Sequence, residues 1–200
     1  MIRPILRSLA FVVVFATAAS AQRQERRGFI GIGIGPSVPV GTFADASPVN
    51  PRAGRATPGY TNTFVNIGYR RGERFGIAAA LSYSEYLIDD VGDDDWWQVT
   101  GVALGPMYSV PLGEKGAVDL KAMFGLMATA EIIDGFGTDG RWGNGLMIDL
   151  RSAVRYDVFR RWCVFAEVGF MSSNQTIWDG TRKDVRVLTS GLGVAFRPVW

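Results

Sequence analysis

Eight charged side chains stand at every second position of segments whose intervening positions are large and apolar. Four are acidic and four are basic. Equal numbers favour ion pairing or an ion path over a binding site for ions of a single charge. A strand directs alternate side chains to opposite faces, which would place these charges on one face. We interpret them as a salt-bridge network that fills an interior; a narrow ion path or ligand site is the alternative. They are Asp119, Lys121, Glu131, Asp149, Arg151, Arg155, Glu167 and Arg197.

A second set of possible ligands is an acidic stretch that precedes Trp96 and Trp97. Its carboxylates are oxygen ligands of the kind that Ca²⁺ prefers, but their spacing is not that of an EF-hand loop. We expect a solvated acidic loop, with calcium binding as the alternative. The weak metal candidates are Asp93, Asp94 and Asp95.

The sequence contains no histidine and a single cysteine, Cys163. The commonest general base and metal ligand is therefore missing, and a Ser-His-Asp triad is excluded. One cysteine also excludes an internal disulfide. The formal net charge of +2 gives no strong attraction to nucleic acid. We predict a non-enzymatic protein without a cofactor.

The N-terminal segment has the three parts of a secretory signal peptide. A basic start is followed by an apolar run from Leu9 to Ala18 and by the small-residue cleavage site Ala19-Ser20-Ala21. The apolar run is shorter than the roughly 20 residues that a transmembrane helix needs. We predict a cleaved signal peptide at 1–21 and one domain at 22–200.

Beyond that segment, large apolar residues alternate with small or charged ones in eight successive stretches. In the first stretch, Ile30, Ile32 and Ile34 share one face while glycines fill the other. Gly125 belongs to the small-residue face of a later stretch and is expected to tolerate serine. Repeated alternation over roughly ten residues is the sequence signature of a β-barrel. The stretches are 28–40, 61–70, 75–86, 96–110, 117–132, 144–156, 162–174 and 184–200.

The connections between these stretches alternate between short and long. This alternation predicts an all-β, antiparallel up-and-down barrel with short turns at one end and longer loops at the other. The short connections are 70–74, 110–116 and 157–161, and the longer ones are 42–60, 87–95, 133–143 and 175–183.

The last stretch ends on an aromatic residue, with Leu192, Val194, Phe196 and Trp200 as its large apolar positions. This closing G-V-A-F-R-P-V-W and the opening G-F-I-G-I-G-I-G-P-S-V-P-V-G-T-F resemble the small outer-membrane β-barrel proteins of Gram-negative bacteria, which include eight-stranded and porin-family barrels. The resemblance covers the whole mature chain. It departs from the usual pattern at Pro198, inside the closing stretch.

The resemblance implies a transmembrane barrel in the outer membrane, with short periplasmic turns and longer extracellular loops. Its partners would be outer-membrane lipid, lipopolysaccharide and the barrel-assembly machinery, and not nucleic acid. We expect a structural, adhesive or small-solute protein whose lumen is plugged by charged side chains. The alternatives are a narrow channel for ions or small solutes, and a secreted lipocalin-like barrel, which would carry its large apolar residues inward.

Overall fold

The computed structural model describes residues 27–47, 49–50, 52–89, 95–132, 142–177 and 180–198. Eight strands each pair antiparallel with their sequence neighbours, and the last pairs with the first to close a barrel. The predicted eight-stranded up-and-down barrel is confirmed. Its strands are β1 (Gly28–Pro39), β2 (Gly59–Arg70), β3 (Phe75–Leu87), β4 (Trp96–Leu112), β5 (Gly116–Ile132), β6 (Trp142–Phe159), β7 (Trp162–Ile177) and β8 (Arg182–Phe196).

Some predicted features lie outside the described residues. They are the signal peptide at 1–21, Asp93, Asp94 and the terminal Trp200. Within the described ranges, no helix has the length and apolar character needed to cross a membrane.

The two faces of the barrel wall differ as the alternation predicts. On β5, Leu120, Phe124 and Leu126 point outward and are 47%, 61% and 64% exposed. Asp119 and Lys121 point inward on the same strand and are buried. An eight-stranded barrel has an interior just wide enough for side chains to fill. Polar and charged groups therefore share the lumen with buried apolar side chains such as Phe29 and Phe165, while most large aliphatic groups cover the outside.

Strand β2 contains an irregularity that the alternation did not indicate. Its pairing with β3 shifts register between Thr63 and Val65, and the side chain of Phe64 is exposed. An extra residue in one strand changes the face on which the following residues lie. Thr61 and Thr63 therefore face inward on one side of the shift, and Asn66 faces inward on the other.

Small inward-facing residues build the seam between β1 and β8. Gly33 pairs with Gly193 across this seam, and the ring of Phe165 lies against both. A Cβ atom on Gly193 would be 2.2 Å from the Phe165 ring, so a larger residue would displace it. Phe29 lies against Gly68 in the same way, also at 2.2 Å from a Cβ placed there. These glycines therefore make room for two aromatic rings inside the barrel.

The expectation that Gly125 tolerates serine is wrong. A Cβ atom at this position would lie 1.8 Å from the carbonyl oxygen of Val102 and 2.7 Å from the Cα of Ala103. Both atoms belong to the backbone of β4, which pairs with β5 at this point. Since the obstruction is backbone rather than a flexible side chain, Gly125→Ser distorts the wall.

The connections depart from strict alternation at one place. Residues 71–74, 113–115 and 160–161 form short turns at one end, and 40–58, 88–95 and 133–141 connect strands at the other. The long connection predicted at 175–183 is reduced to 178–181, which is no longer than 71–74. The reason is that β7 and β8 continue to pair as far as Thr176 and Arg182.

Candidate functional site in the barrel lumen

Four charged side chains inside the barrel form ion pairs with one another. We call Lys121, Asp149, Arg151 and Glu167 the central ion cluster. Arg151 donates to both carboxylate oxygens of Asp149, at 2.9 and 2.7 Å, and to Glu167 Oε1 at 2.9 Å. Lys121 Nζ lies 2.6 Å from Glu167 Oε2 and donates to Asn66 Oδ1 at 2.9 Å. Two cations and two carboxylates thus neutralise one another, as buried charges must.

A second ion pair lies closer to the short-turn end of β5 and β6. Arg155 donates from Nε to Asp119 Oδ2 at 2.9 Å and from Nη2 to Oδ1 at 3.2 Å, a bidentate pair with fixed geometry. Ser109 on β4 donates to the same carboxylate. The Arg155 guanidinium also stacks on the Phe29 ring at 5.1 Å, and Lys121 Nζ is 5.6 Å from that ring. One aromatic ring therefore links this pair to the central ion cluster.

Arg197 lies just beyond the end of β8 and pairs with Asp157, to which it donates through Nη1. The sequence placed Asp157 in a turn, but it lies in β6. Its position was recoverable, because it continues the inward series of alternate residues that includes Arg155. Glu131, the remaining predicted lumen charge, is the register partner of Trp97 and is half-buried at the long-loop end, away from the central ion cluster.

A small cavity remains beside the central ion cluster. Its volume is about 20 Å³, and its walls include Thr61, Thr63, Arg151 and Glu167. A site needs roughly 10–15 Å³ and several polar partners to hold one water molecule. This cavity can therefore hold a water molecule but not a solute.

The connection at 40–58 lies over the lumen at the end of the barrel with the longer connections, and we call its described residues, 40–47, 49–50 and 52–58, loop 1. Lys183 Nζ donates to the carbonyl oxygen of Ala53 at 2.7 Å, and Trp97 Nε1 donates to that of Gly54, also at 2.7 Å. Lys183 is on β8 and Trp97 on β4, which are half a turn apart in the ring of eight strands. Two opposite walls therefore hold adjacent residues of loop 1 across the mouth.

Aromatic packing and backbone bonds fix loop 1 in this position. Phe43 is buried, and its ring meets those of Tyr86 and Trp97 edge-on at 5.6 and 6.0 Å. The backbone N–H of Ala56 donates to the carbonyl oxygen of Phe43, and Ala56 forms a bridge with Ile88. Lys183 was predicted to lie in a connection, and this cap was not predicted. The sequence did contain a sign of its position, because Lys183 is separated by an even number of residues from the inward-facing residues later in β8.

Further out in loop 1, Asp45 organises the turn. Its carboxylate accepts hydrogen bonds from the Ser47 backbone N–H at 2.9 Å and from Asn50 Nδ2 at 2.7 Å. Because these bonds favour the ionised form, they hold the pKa of Asp45 below its usual value.

Replacing Lys183 with methionine should loosen loop 1 without unfolding the barrel. The change removes the hydrogen bond to Ala53, and a bond from a charged donor is worth about 1.5–3 kcal/mol. We expect faster tryptic cleavage after Arg55, measured by mass spectrometry on the folded protein. Arg182→Met, at an exposed neighbouring position, is the matched control and should match the wild type. Equal cleavage of the Lys183 variant and the wild type would contradict this role of Lys183.

The acidic stretch contributes little to the described structure. Of its three metal candidates only Asp95 is described, and its backbone oxygen accepts a hydrogen bond from Ile88. Across the described residues, no group of three or more Asp, Glu, Cys or His side chains is arranged to hold a metal ion.

No protein-family model matches this sequence, and no curated protein matches it. Among solved structures, the barrel is similar to Neisserial surface protein A, with a TM-score of 0.60 and 14% identity over 86% of this chain and 97% of that one. It is also similar to Ail, the attachment invasion locus protein of Yersinia pestis, solved with the heparin analogue sucrose octasulfate. The TM-score is 0.50, with 16% identity over 85% of this chain and 98% of that one. The chain therefore has the fold of the small eight-stranded outer-membrane β-barrel proteins.

Proposed function

We propose that this chain is an exported, non-enzymatic outer-membrane β-barrel whose lumen is sealed. In this proposal, residues 1–21 direct export and are removed, and residues 22–200 form the membrane domain. The observation that carries the sealed state is the neutral, hydrogen-bonded central ion cluster, which lies in the lumen beneath loop 1. A barrel closed in this way suits a structural or adhesive role at the cell surface.

The outer surface supports a membrane location. A transmembrane barrel carries an apolar band between two girdles of aromatic residues. Aromatic pairs lie outside this barrel at both ends, with ring centroids 5.0 Å apart for Phe75 and Tyr108 and 6.3 Å apart for Phe64 and Tyr83. The outward aromatics at the short-turn end include Tyr69, Phe75, Tyr108, Tyr156 and Trp162, and those at the loop end include Tyr60, Phe64, Tyr83 and Trp142.

This distribution of side chains differs from that of the lipocalin alternative. A barrel that holds an apolar ligand needs apolar residues inside, whereas Asp149 and Arg151 are inside here and Leu126 is outside. The channel alternative has less support than a sealed lumen. A selective pore is typically lined by charges of one sign, whereas these charges compensate one another at hydrogen-bond distance.

An adhesive role finds support in loop 1. Val49 is 88% exposed in a turn that Asp45 stabilises through its hydrogen bonds with Ser47 and Asn50. An exposed apolar side chain on an ordered loop is suited to contact another surface. The sulfated ligand of Ail is not carried over, because exposed or half-exposed side chains of both signs lie at this end. They are Arg52, Arg182, Arg186, Asp45, Glu85 and Asp184.

Within this proposal, lipid and lipopolysaccharide surround the apolar band, and the barrel-assembly machinery inserts the chain. Strand closure is what that insertion must achieve, since an unpaired sheet edge is not tolerated in lipid. Phe196 supports the closing role of β8, because it pairs with Ile30 of β1 and its ring contacts Trp162 of β7 at 5.5 Å.

Cell fractionation tests the location. We expect the full chain in the outer-membrane fraction, with heat-modifiable gel mobility and protease resistance typical of a closed barrel. Deleting residues 196–200 should abolish insertion but not export, because the last strand loses its terminal pair with Ile30 of β1, the ring contact with Trp162 and the ion pair of Arg197 with Asp157. A full-length chain recovered in the soluble periplasmic fraction would overturn the proposal and favour a soluble barrel. A truncated chain that still inserts would remove the closing role of the C-terminus.

A further inference from the structure

Methionine and leucine occupy opposite faces of this barrel. All five methionines in the described residues are at most 2% exposed, and they lie in the lumen. None of the described leucines is buried, and most of them are strongly exposed on the outer wall. The two side chains have similar volumes and usually replace one another at small cost. Filling space therefore does not by itself explain why the lumen contains thioethers rather than leucine.

Three of these methionines, on adjacent strands, surround one point of the wall. Met127 on β5 is the register partner of Gly101 on β4. Met147 extends from β6 to the same glycine, where a Cβ atom would lie 3.1 Å from its Sδ. Ser82 Oγ is 3.2 Å from that Cβ position, and it donates to the Sδ of Met171 on β7 at 3.7 Å. The thioether end of Met147 and the Ser82 hydroxyl converge on Gly101 and occupy the space that a side chain there would take.

Two buried polar side chains beside this group make no hydrogen bond within the described part of the chain. Ser173 is the register partner of Met147, is 2% exposed, and its Oγ makes no hydrogen bond to a described residue. The side chain of Gln175, two residues further along β7, is 1% exposed, and neither its oxygen nor its nitrogen is hydrogen-bonded to any residue in the described ranges. Buried polar atoms usually have a partner. Their position next to Met147 leaves polar atoms available to a group bound beside its thioether.

The charged side chains nearest to these methionines neutralise one another. Arg151 Nη2 is 4.0 Å from Met171 Sδ. The positive charge of this guanidinium is offset by its ion pairs with Asp149 and Glu167. Asp149 is also the register partner of Met171. A cation near the thioethers would therefore meet a neutral ion cluster with a carboxylate beside it.

We propose that Met127, Met147 and Met171 form a binding site for a soft monovalent cation, Cu(I) or its analogue Ag(I). Thioethers are soft, neutral ligands that select such ions over hard cations. The Ser82 and Ser173 hydroxyls complete the surroundings of the ion with oxygen atoms. Loop 1 separates the site from the exterior, so the ion enters when loop 1 opens or as the barrel folds.

Silver binding by the purified full chain tests the site. Silver nitrate in chloride-free buffer is added to the folded protein and, in parallel, during refolding, so that loop 1 cannot prevent loading. We expect one silver ion per folded chain by isothermal titration and elemental analysis. Replacement of Met127, Met147 or Met171 with leucine should weaken binding about ten-fold or more, since even loss of an outer-shell partner of a metal has an effect of this size.

Two matched variants separate this site from other sulfur atoms. Met107→Leu removes a buried thioether that lies instead beside Gly68, and Cys163→Ser removes the buried thiol. Both should bind silver as the wild type does, and heat-modifiable mobility should show that every variant folds. The absence of stoichiometric silver under both loading conditions would overturn the proposal. Equal affinity of the Met147 and Met171 variants and the wild type would overturn it as well.

Discussion

Replacing Arg151 with alanine should destabilise the folded barrel by about 3–5 kcal/mol, the usual consequence of removing one partner from a buried ion pair. Arg151 contacts Asp149 through two nitrogens and Glu167 through a third. Its loss leaves Asp149, which is fully buried, without its principal counter-ion. Urea unfolding of the detergent-refolded protein, followed by gel mobility and tryptophan fluorescence, measures the change.

Two controls separate the lost pairing from the loss of an arginine. Arg160→Ala removes an arginine in the exposed turn between β6 and β7 and should leave stability nearly unchanged. Adding Asp149→Asn to the Arg151→Ala chain removes the stranded negative charge and should recover part of the loss. Wild-type stability of Arg151→Ala would contradict the structural role of the central ion cluster.

Placing arginine at Val168 should destabilise the protein by about 2–4 kcal/mol in a bilayer, the effect of a charge on the lipid-facing side of a barrel. Val168 points outward from β7 and is 59% exposed. The structure offers a matched position on the same strand and face, because Asn174 also points outward but lies among polar neighbours near the end of β7.

Asn174→Arg should therefore have little effect on unfolding in lipid vesicles or on membrane assembly. Leu126→Arg, on the outer face of β5, should behave like Val168→Arg. Equal stability of the two β7 arginine variants would argue that the exposed apolar surface does not face lipid.

The sequence was sufficient to predict most of the fold because one physical pattern determines it. Side chains alternate between the faces of a strand, so Ile30 and Ile34 were assigned to one face of the wall and Asp149 and Arg151 to the interior. Strand ends were less predictable. Pairing persists wherever backbone partners are available, and β6 accordingly continues to Phe159.

Features that depend on departures from alternation could not be predicted. The register shift around Phe64 places Thr61 and Thr63 in the lumen. No residue type in β2 indicates that the shift occurs there. Asp157 and Lys183 were assigned to connections because charged residues near Gly or Arg resemble turn sequences. Both lie on strands and face inward.

The cap formed by loop 1 depends on contacts between residues far apart in sequence. Lys183 and Ala53 are separated by 130 positions, and Trp97 and Gly54 by 43. Composition indicated only that this connection was long. Its path across the mouth follows from two donors on opposite walls, which become neighbours only when the barrel closes.

Conductance in a planar lipid bilayer measures directly whether the lumen is sealed. With the central ion cluster paired and loop 1 across the mouth, we predict no steady conductance for the wild-type barrel. Arg151→Ala should change its stability far more than any current. A stable, ion-selective conductance in the wild type that this single substitution shifts would contradict the sealed lumen and identify the barrel as a channel.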